Sequence, residues 1–367
     1  MIKSISVHLV AAARPNFMKI APLYHALAAE SWCEPRIVHA GQHYDANMSD
    51  AFFRDLRLPH PHFHLGVGSG SHAEQTGGVM IAYERIARQE KPDWIVVVGD
   101  VNSTVACAMV AAKQWVPVAH LEAGLRSGDR RMPEEINRLV TDAISDLLWT
   151  PSPDADDNLL REGVPAAKID RVGNIMIDSF EMLRGAIEAN GTRSQLGLDP
   201  HGYGVVTLHR PSNVDDASHL ELLVNQLIGV ARELPLIFAV HPRTRRNLEQ
   251  FGLIDRLANA DRVVLTEPLG YIEFMNLVLT ARAVITDSGG VQEESTYLGI
   301  PCLTLRENTE RPITVTEGSN RLVRPRELLM RVREMLGGGW SAGRRPALWD
   351  GRTAIRCVAS LQRHAGI

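Results

Sequence analysis

Residues 94–138 read WIVVVGDVNSTVACAMVAAKQWVPVAHLEAGLRSGDRRMPEEINR, and this stretch decides the fold. Residues 94–98 form an apolar, β-branched run that is too short for a helix, so they predict a buried strand. A helical pattern rich in Ala and Val follows over 103–114, and a second apolar run covers 116–121. Strand, helix and strand in this order form the crossover unit of a parallel sheet.

Acidic residues stand directly after both predicted strands. Asp100 follows the first strand, Glu122 follows the second, and Glu134 and Glu135 open the next helix. Open parallel sheets bind ligands at the edge where strands end, so Asp100, Glu122 and Glu134 (or Glu135) are expected to converge and to do acid/base chemistry. In the alternative interpretation the acids cap helices and pair with nearby arginines, namely Arg126, Arg130 or Arg138.

Length and composition set the broad class. The chain has 367 residues, enough for two domains of ordinary size, and its 45% hydrophobic and 22% charged content is that of a soluble globular protein. A net charge of −4 gives no sign of a basic nucleic-acid-binding domain. The cysteines are scattered, no signal-peptide pattern opens the chain, and no apolar run approaches the ~18 residues that cross a bilayer. We therefore expect a cytoplasmic protein without a membrane partner.

The strand and helix alternation extends to both sides of the central unit. Further apolar runs in the first half predict strands over 5–12, 36–41, 146–151 and 169–173. After a polar boundary at 190–194 the pattern restarts, with strands predicted over 205–208, 236–240, 263–265, 283–286 and 302–305. The fold class is therefore α/β, with two doubly wound (Rossmann-like) domains and a closing amphipathic helix near the C-terminus.

The second half carries the signals of a diphosphate site. Ser288, Gly289 and Gly290 lie between a strand and a helix, where free N–H groups can cradle phosphates without a metal ion. Glu294 follows by about one helical turn, within reach of vicinal ribose hydroxyls, and Arg311 can neutralise a departing phosphate. The alternative is a glycine turn among solvated charges.

Weaker signals lie at other predicted strand ends. His209 and His241 each follow a strand directly, although a lone histidine is more often structural. Arg14 and Lys19 flank a strand-to-helix turn, which favours anions, and the alternative is that both cations are simply solvated.

Two further patterns bear on the class of ligand. His60, His62 and His64 alternate, but partners at ligand spacing are missing nearby, which favours a surface loop over a metal site. The absence of a G-x-x-x-x-G-K-[ST] motif argues against nucleotide triphosphate hydrolysis. Diphosphate and ribose contacts in one domain and acids in the other indicate a nucleotide-sugar enzyme.

Eight segments match a known family in order and spacing: ARPNFMKIAPL (13–23), GQHYD (41–45), GD (99–100), HLEAGLRSGD (120–129), PEEINR (133–138), HR (209–210), TDSGGVQEE (286–294) and TERP (309–312). Over nearly its whole length the chain resembles the non-hydrolysing UDP-N-acetylglucosamine 2-epimerases. The resemblance implies a GT-B-like pair of domains facing across a cleft, a homodimer, and no metal ion or cofactor. We expect an N-terminal domain over 1–172, completed by the helix 353–367, and a UDP-binding domain over 173–352.

The resemblance also assigns site residues. The catalytic groups fall on Asp100, Glu122, Glu134 and His209. The contacts to UDP fall on Arg14, Lys19, Phe274, Ser288, Gly289, Gly290, Glu294 and Arg311. An allosteric site for a second substrate molecule falls on Gln42, His43, Gln75, Arg210 and His241, whereas Tyr44, Asp45 and Glu74 depart from the pattern of regulated members.

The reaction implied by the resemblance converts UDP-N-acetylglucosamine into UDP-N-acetylmannosamine. Loss of UDP from C1 acidifies the C2–H bond, elimination gives 2-acetamidoglucal, and re-addition with a proton from the other face inverts C2. Four alternatives stay open: the same chemistry on UDP-2,3-diacetamido-glucuronic acid, a hydrolysing epimerase that releases N-acetylmannosamine, a glycosyltransferase of the same fold, and a non-catalytic nucleotide-sugar sensor.

Overall fold

The structure, a computed structural model, describes residues 4–41 and 53–367, and of Arg14 only the backbone. The chain divides into two compact units. The first comprises Met1–Met182 together with Ala347–Ile367, and the second comprises Leu183–Pro346. Each unit is a parallel sheet covered by helices, which confirms the predicted α/β class.

The described residues of the first unit form a sheet of seven strands in the order β3-β2-β1-β4-β5-β6-β7. The strands are β1 Ile5–Ala11, β2 Cys33–His39, β3 Phe63–His64, β4 Trp94–Val98, β5 Val118–Leu121, β6 Leu147–Thr150 and β7 Ile169–Arg171. Every pair is parallel. The strand order reverses between β1 and β4, and such a switch point is where parallel sheets bind ligands.

Helices connect these strands. Those described in the first unit, and the one that leads into the second, are Arg14–Ala28, His72–Glu90, Asn102–Lys113, Pro133–Ile144, Pro153–Arg161, Ile175–Ala189 and Thr353–Ala365, with a 3₁₀ turn at Ala166–Lys168. The central strand β4 is buried along its whole length, and Val96 and Val97 are fully inaccessible. Burying each such side chain stabilises the fold by about 1.5–3 kcal/mol, which fixes the turn that follows β4.

The second unit contains a six-stranded parallel sheet in the order β10-β9-β8-β11-β12-β13. Its strands are β8 Gly204–Thr207, β9 Leu236–Ala239, β10 Val263–Thr266, β11 Ala283–Thr286, β12 Cys302–Thr304 and β13 Asn320–Leu322. Its helices are Thr192–Gln195, Pro211–Val214, Ala217–Ala231, Pro242–Gln250, Ile254–Ala258, Tyr271–Leu279, Gly289–Leu298, Ile313–Thr316 and Leu328–Leu336, with a 3₁₀ turn at Pro325–Glu327. The switch point lies between β8 and β11.

The last helix packs on the first unit. The indole N–H of Trp149 in β6 donates to Ser360 Oγ at 2.8 Å. The carboxylate of Asp178 accepts from the backbone N–H groups of Thr353 and Ala354, at 3.1 and 2.8 Å, at the start of this helix. These buried contacts explain why the chain returns to the first sheet after completing the second.

Two short strands differ from the sequence prediction. The histidine-rich segment interpreted as a loop contains β3, whose two residues pair with Val38 and His39 of β2. The strand β13 was not predicted, because Asn-Arg-Leu is too short and too polar to signal a strand. Both lie at sheet edges, where pairing with one neighbour is sufficient.

Two searches concern ligands and membranes. Among residues 4–41 and 53–367, no three His, Cys, Asp or Glu side chains are grouped so that they could hold a metal ion. Within the same residues, every helix is too short or too polar to cross a bilayer.

Candidate active site

The turns after β4 and β5 bring the predicted acid Glu122 next to Gly99. Both Gly99 and Glu122 have positive φ, +68° and +72°. A Cβ placed on Gly99 would lie 3.6 Å from Glu122 Oε2, so the two turns are in contact. A non-glycine residue in this region of φ stores about 1–3 kcal/mol of strain, which proteins concentrate at functional sites.

Glu122 is paired with a predicted UDP-binding cation. Lys19 Nζ, from the helix Arg14–Ala28, lies 2.5 Å from Glu122 Oε2, and the two side chains are 13% and 5% exposed. An ammonium at this distance from a buried carboxylate favours its charged form. The pair therefore places the Glu122 carboxylate beside a cation that can also bind an anion.

Asp100 is held from one side and open on the other. Arg138 Nη1 lies 2.7 Å from Asp100 Oδ2, and the Asp100 side chain is 34% exposed while that of Arg138 is 3% exposed. Asn137 Nδ2 donates to the Asp100 carbonyl at 2.9 Å. The helix Pro133–Ile144 therefore orients Asp100 without covering it.

The structure separates the two acids that open this helix. Glu135 accepts from the N–H groups of Ser127 and Gly128 at 3.0 and 2.9 Å, and from Arg138 Nε at 3.0 Å. Burial acts to raise the pKa of Glu135, but these N–H groups and the guanidinium hold it below its ordinary value. Glu135 is thus committed to bracing Arg138, whereas Glu134 is exposed at the first turn and free to meet a ligand.

A buried network that the sequence analysis missed supports the two turns. His120 Nε2 donates to the Gly99 carbonyl at 2.8 Å, and His120 Nδ1 lies 2.6 Å from Asp142 Oδ1. Asp142 Oδ2 accepts from the Gly124 N–H at 3.0 Å and lies 2.7 Å from Arg126 Nη1. A histidine inside the apolar run VAHL is a detectable signal, but its distant partner Asp142 is visible only in three dimensions.

In the second unit, the glycine turn lies against an arginine. Ser288 precedes the helix Gly289–Leu298, and its N–H donates to Thr286 Oγ1 at 3.0 Å. A Cβ on Gly289 would lie 2.8 Å from Arg311 Nη1, so any larger residue here would displace the guanidinium from the turn. The predicted phosphate cradle and the predicted phosphate-neutralising cation are therefore adjacent.

One buried carboxylate gathers three guanidinium groups. Glu310 lies 2.7 Å from Arg311, 2.7 Å from Arg306 and 3.6 Å from Arg210. Burial acts to raise the pKa of Glu310, but the Arg311 and Arg306 charges hold it well below its ordinary range. A second buried carboxylate, Glu293, lies 2.8 Å from Arg311 Nε. Three guanidinium groups are thus concentrated beside the glycine turn, and guanidinium groups bind phosphate oxygens well.

The predicted ribose-binding carboxylate is almost inaccessible. Glu294 is 4% exposed and accepts from the Tyr271 hydroxyl at 2.7 Å. Burial, together with the charge of Glu293, raises the pKa of Glu294 to about 8 although the Tyr271 hydrogen bond acts to lower it. Phe274 lies three residues after Tyr271 on the helix Tyr271–Leu279, so both side chains share one face.

Two histidines stand together at the ends of β8 and β9. The rings of His209 and His241 are 5.5 Å apart, and His209 Nδ1 lies 2.9 Å from Asp287 Oδ1 at the end of β11. Arg210, the next residue, is the third guanidinium on Glu310.

The residues predicted for an allosteric site are only partly described. Gln42 and His43 lie outside the described residues. Gln75 accepts from Asn102 Nδ2 at 2.8 Å and lines a cavity of about 330 Å³ at the carboxyl edge of the first sheet, which Ala13 and Ser103 also line. Arg210 and His241 follow β8 and β9, at the carboxyl edge of the second sheet.

Each unit is an α/β fold with a parallel sheet. The first carries acids at its strand ends, and the second carries a glycine turn beside an arginine. This combination is typical of nucleotide-sugar enzymes. A family model described as UDP-N-acetylglucosamine 2-epimerase matches residues 25–362. The chain belongs to the UDP-N-acetylglucosamine 2-epimerase family, which confirms the resemblance predicted from its motifs.

Individual relatives agree with this assignment. The chain is 43% identical over 324 residues to the UDP-N-acetylglucosamine 2-epimerase of Methanocaldococcus jannaschii, covering 87% of this chain and 88% of the relative. It is 43% identical over 318 residues to the UDP-2,3-diacetamido-2,3-dideoxy-D-glucuronate 2-epimerase of Pseudomonas aeruginosa, covering 85% and 86%. The crystal structure of the M. jannaschii enzyme in complex with UDP-GlcNAc and UDP matches with a TM-score of 0.89 and 41% identity, over 98% of this chain and 100% of the other.

Proposed function

We propose that the protein inverts C2 of UDP-N-acetylglucosamine to give UDP-N-acetylmannosamine, without hydrolysis. The observation that carries the proposal is the pair of carboxylates Asp100 and Glu122 at neighbouring strand ends. They occur in a chain 41% identical to an enzyme whose structure holds UDP-GlcNAc and UDP. Epimerisation through a glycal needs one group that removes the C2 proton and another that delivers a proton to the opposite face.

In this scheme the first unit acts on the sugar. Glu122, kept charged by Lys19, and Asp100, held by Arg138, are the proton carriers. Glu134 orients the sugar or shares their work from its exposed position on the first helical turn. As the C1–O bond breaks, the C2–H electrons form the C1=C2 bond of the glycal, and the proton passes to a carboxylate.

The second unit holds UDP throughout the reaction. The turn Ser288–Gly290, through the N–H groups of Gly289 and Gly290, and the guanidinium of Arg311 bind the diphosphate, and Glu294 accepts from the ribose hydroxyls. Phe274 contacts the nucleoside, and His209 assists the departing phosphate. Arg14 and Lys19 of the first unit add positive charge. Retention of UDP keeps the glycal intermediate from escaping.

A second candidate substrate is UDP-2,3-diacetamido-glucuronic acid. The relative from P. aeruginosa that carries this activity in its name is as similar to this chain as the M. jannaschii enzyme, at 43% identity. The chemistry at C1 and C2 is the same for both substrates, so the proposed roles of Asp100 and Glu122 apply to either one.

Three further features belong to the proposal. Ile81 and Trp115, 59% and 94% exposed on the helix His72–Glu90 and just after Asn102–Lys113, give the first unit apolar surface for a homodimer. The buried free cysteines suit a reducing cytoplasm. The resemblance assigns Gln42, His43, Gln75, Arg210 and His241 to a regulatory site for a second substrate molecule. A UDP-sugar is the expected partner, and a net charge of −4 favours no nucleic acid.

A panel of UDP-sugars tests the proposal. The purified protein is incubated with UDP-N-acetylglucosamine, UDP-2,3-diacetamido-glucuronic acid and, as a control, UDP-glucose, and the products are followed by ¹H NMR. We expect C2 inversion of one or both acetamido sugars with the UDP linkage intact. Release of free sugar would favour hydrolysis, and consumption only with an added acceptor would favour a glycosyltransferase.

A further inference from the structure

Asp287 is a fully buried carboxylate at the end of β11, surrounded by hydrogen-bond donors. Its oxygens accept from the backbone N–H groups of His209 and Arg210, at 3.1 and 2.9 Å, and from Asn213 Nδ2 at 3.0 Å. The side chain of His209 adds a further contact, with Nδ1 2.9 Å from Oδ1. All of these contacts come from β8 or the residues that follow it, across the switch point of the second sheet.

The protonation state of this group follows from its contacts. Burial acts to raise the pKa of Asp287, but the His209 and Asn213 hydrogen bonds and the His209 charge outweigh it and hold the pKa below its ordinary value. An ionised carboxylate can only accept hydrogen bonds. His209 Nδ1 therefore carries a hydrogen in this contact.

The other ring nitrogen of His209 is left for a ligand. The side chain is 38% exposed although its carboxylate partner is 0% exposed, so the ring reaches from the buried acid toward the surface. Nε2 lies on the side of the ring away from Nδ1. The neighbouring His241 is engaged through its own Nδ1, which accepts from the Arg243 N–H at 3.2 Å.

We infer that Asp287 is a positioning residue that fixes the tautomer of His209, so that this histidine exchanges protons with the substrate through Nε2 alone. The inference rests on the proposed function, in which His209 assists the departing diphosphate. In the proposed step His209 begins as the imidazolium, with a hydrogen on each ring nitrogen. As the C1–O bond breaks, its electron pair goes to the β-phosphate oxygen, and Nε2 gives its proton to that oxygen. His209 becomes neutral with its remaining hydrogen on Nδ1, donated to Asp287, and re-addition of UDP returns the proton to Nε2.

An amide cannot replace the carboxylate in this role. In Asp287→Asn, the amide oxygen is the group that can satisfy the two backbone N–H donors, which leaves the amide NH₂ facing His209 Nδ1. The ring must then accept at Nδ1 and carry its hydrogen on Nε2, and the same exchange selects the wrong tautomer in Ser-His-Asp triads. The variant therefore changes the tautomer while keeping size and shape.

Ring-¹⁵N histidine NMR reads the tautomer directly in the UDP-free protein, and His209→Gln identifies the His209 signals. We expect the neutral ring of His209 to be the Nδ1–H tautomer in the wild type and the Nε2–H tautomer in Asp287→Asn. A wild-type His209 carrying its hydrogen on Nε2 would overturn the inference. This measurement needs no turnover, so it separates failure of the inference from failure of the proposed function.

Kinetics supply the second readout. We expect the kcat of Asp287→Asn for C2 inversion to fall about 10²- to 10³-fold, the size of a general acid/base contribution, with KM little changed. The matched control is Asn213→Ala, which removes one donor from Asp287 but leaves the contact with His209. It should keep the Nδ1–H tautomer and most of the turnover. An equal loss of kcat in both variants, with the tautomer unchanged, would make the role of Asp287 purely structural.

Discussion

Lys19 Nζ lies 2.5 Å from Glu122 Oε2, which joins two residues 103 positions apart in the sequence. The lysine comes from the helix after β1 and the glutamate from the turn after β5. The pair therefore links a predicted UDP contact to a predicted proton carrier. The positive charge of Lys19 also favours the charged form of Glu122, which is only 5% exposed.

Glu122→Gln tests the charge of this carboxylate. The amide keeps the size of the side chain but cannot take up a proton from C2, so we expect kcat for C2 inversion to fall at least about 10²-fold. The rate is measured by NMR on UDP-N-acetylglucosamine. The control is Glu162→Gln, at a 37% exposed residue that pairs with Arg126. Full turnover in Glu122→Gln would remove Glu122 from the mechanism.

Arg138→Met tests the ion pairs that hold Asp100 in place. Arg138 is 3% exposed and pairs with Glu135, which is also 3% exposed, so the substitution leaves a buried charge uncompensated. We expect the free energy of unfolding to fall by about 3–5 kcal/mol in a urea titration. Arg131→Met is the control, because Arg131 is 90% exposed beside Asp129, and a change within about 0.5 kcal/mol is expected there. Equal values for the two variants would contradict the role of Arg138.

Glu294 predicts a pH dependence of UDP binding. Its pKa is raised to about 8, so the side chain is mostly protonated at pH 7, whereas ribose hydroxyls bind best to a carboxylate. UDP binding at pH 7 should therefore release a proton, and affinity should rise as the pH increases toward 8. Calorimetry in two buffers of different ionisation enthalpy measures the release. Glu294→Gln should bind UDP without releasing that proton. Identical proton release in the wild type and the variant would contradict the assignment.

His8 predicts acid sensitivity of the first unit. The ring is 0% exposed, Nδ1 lies 3.2 Å from the Tyr83 hydroxyl, and burial and the Arg36 charge lower the pKa of His8 from 6.5 to about 4. The unfolded chain thus binds more protons between pH 6.5 and 4. This contribution to stability is fully present above pH 6.5 and is lost as the pH falls toward 4, by about 3 kcal/mol for a complete shift.

Urea titrations of the wild type and His8→Asn across pH 4–7 measure this contribution. The variant should lose less stability on acidification than the wild type. His60→Gln, at an exposed histidine of the same unit, should follow the wild-type curve. Parallel curves for the wild type and His8→Asn would show that His8 does not titrate on unfolding.

Much of the fold could be predicted because long apolar runs and strand-end polar residues are local signals. The apolar runs of β4 and β5 predicted that Asp100 and Glu122 lie at the same edge of the first sheet. The Ser288-Gly289-Gly290 sequence predicted that a helix begins there. The short edge strands β3 and β13 could not be predicted, because their pairing depends on neighbours rather than on their own residues.

The contacts of the site residues could not be predicted from the sequence for a similar reason. The sequence alone does not distinguish the roles of Glu134 and Glu135. Only the hydrogen bonds from the Ser127 and Gly128 N–H groups show that Glu135 is the acid that holds Arg138 in place. The contact between Asp287 and His209 joins residues 78 positions apart in the sequence. Such pairs become visible only when the strand order of the sheet is known.

Solvent deuterium tests the central claim most directly. The protein is incubated with UDP-N-acetylglucosamine in D₂O, and C2 of the UDP-sugars is examined by NMR and mass spectrometry. The account predicts C2 inversion with deuterium at C2 in the product and, as the reaction reverses, in the recovered substrate, with UDP still attached. Inversion that keeps the original hydrogen at C2, or loss of UDP without inversion, would contradict it.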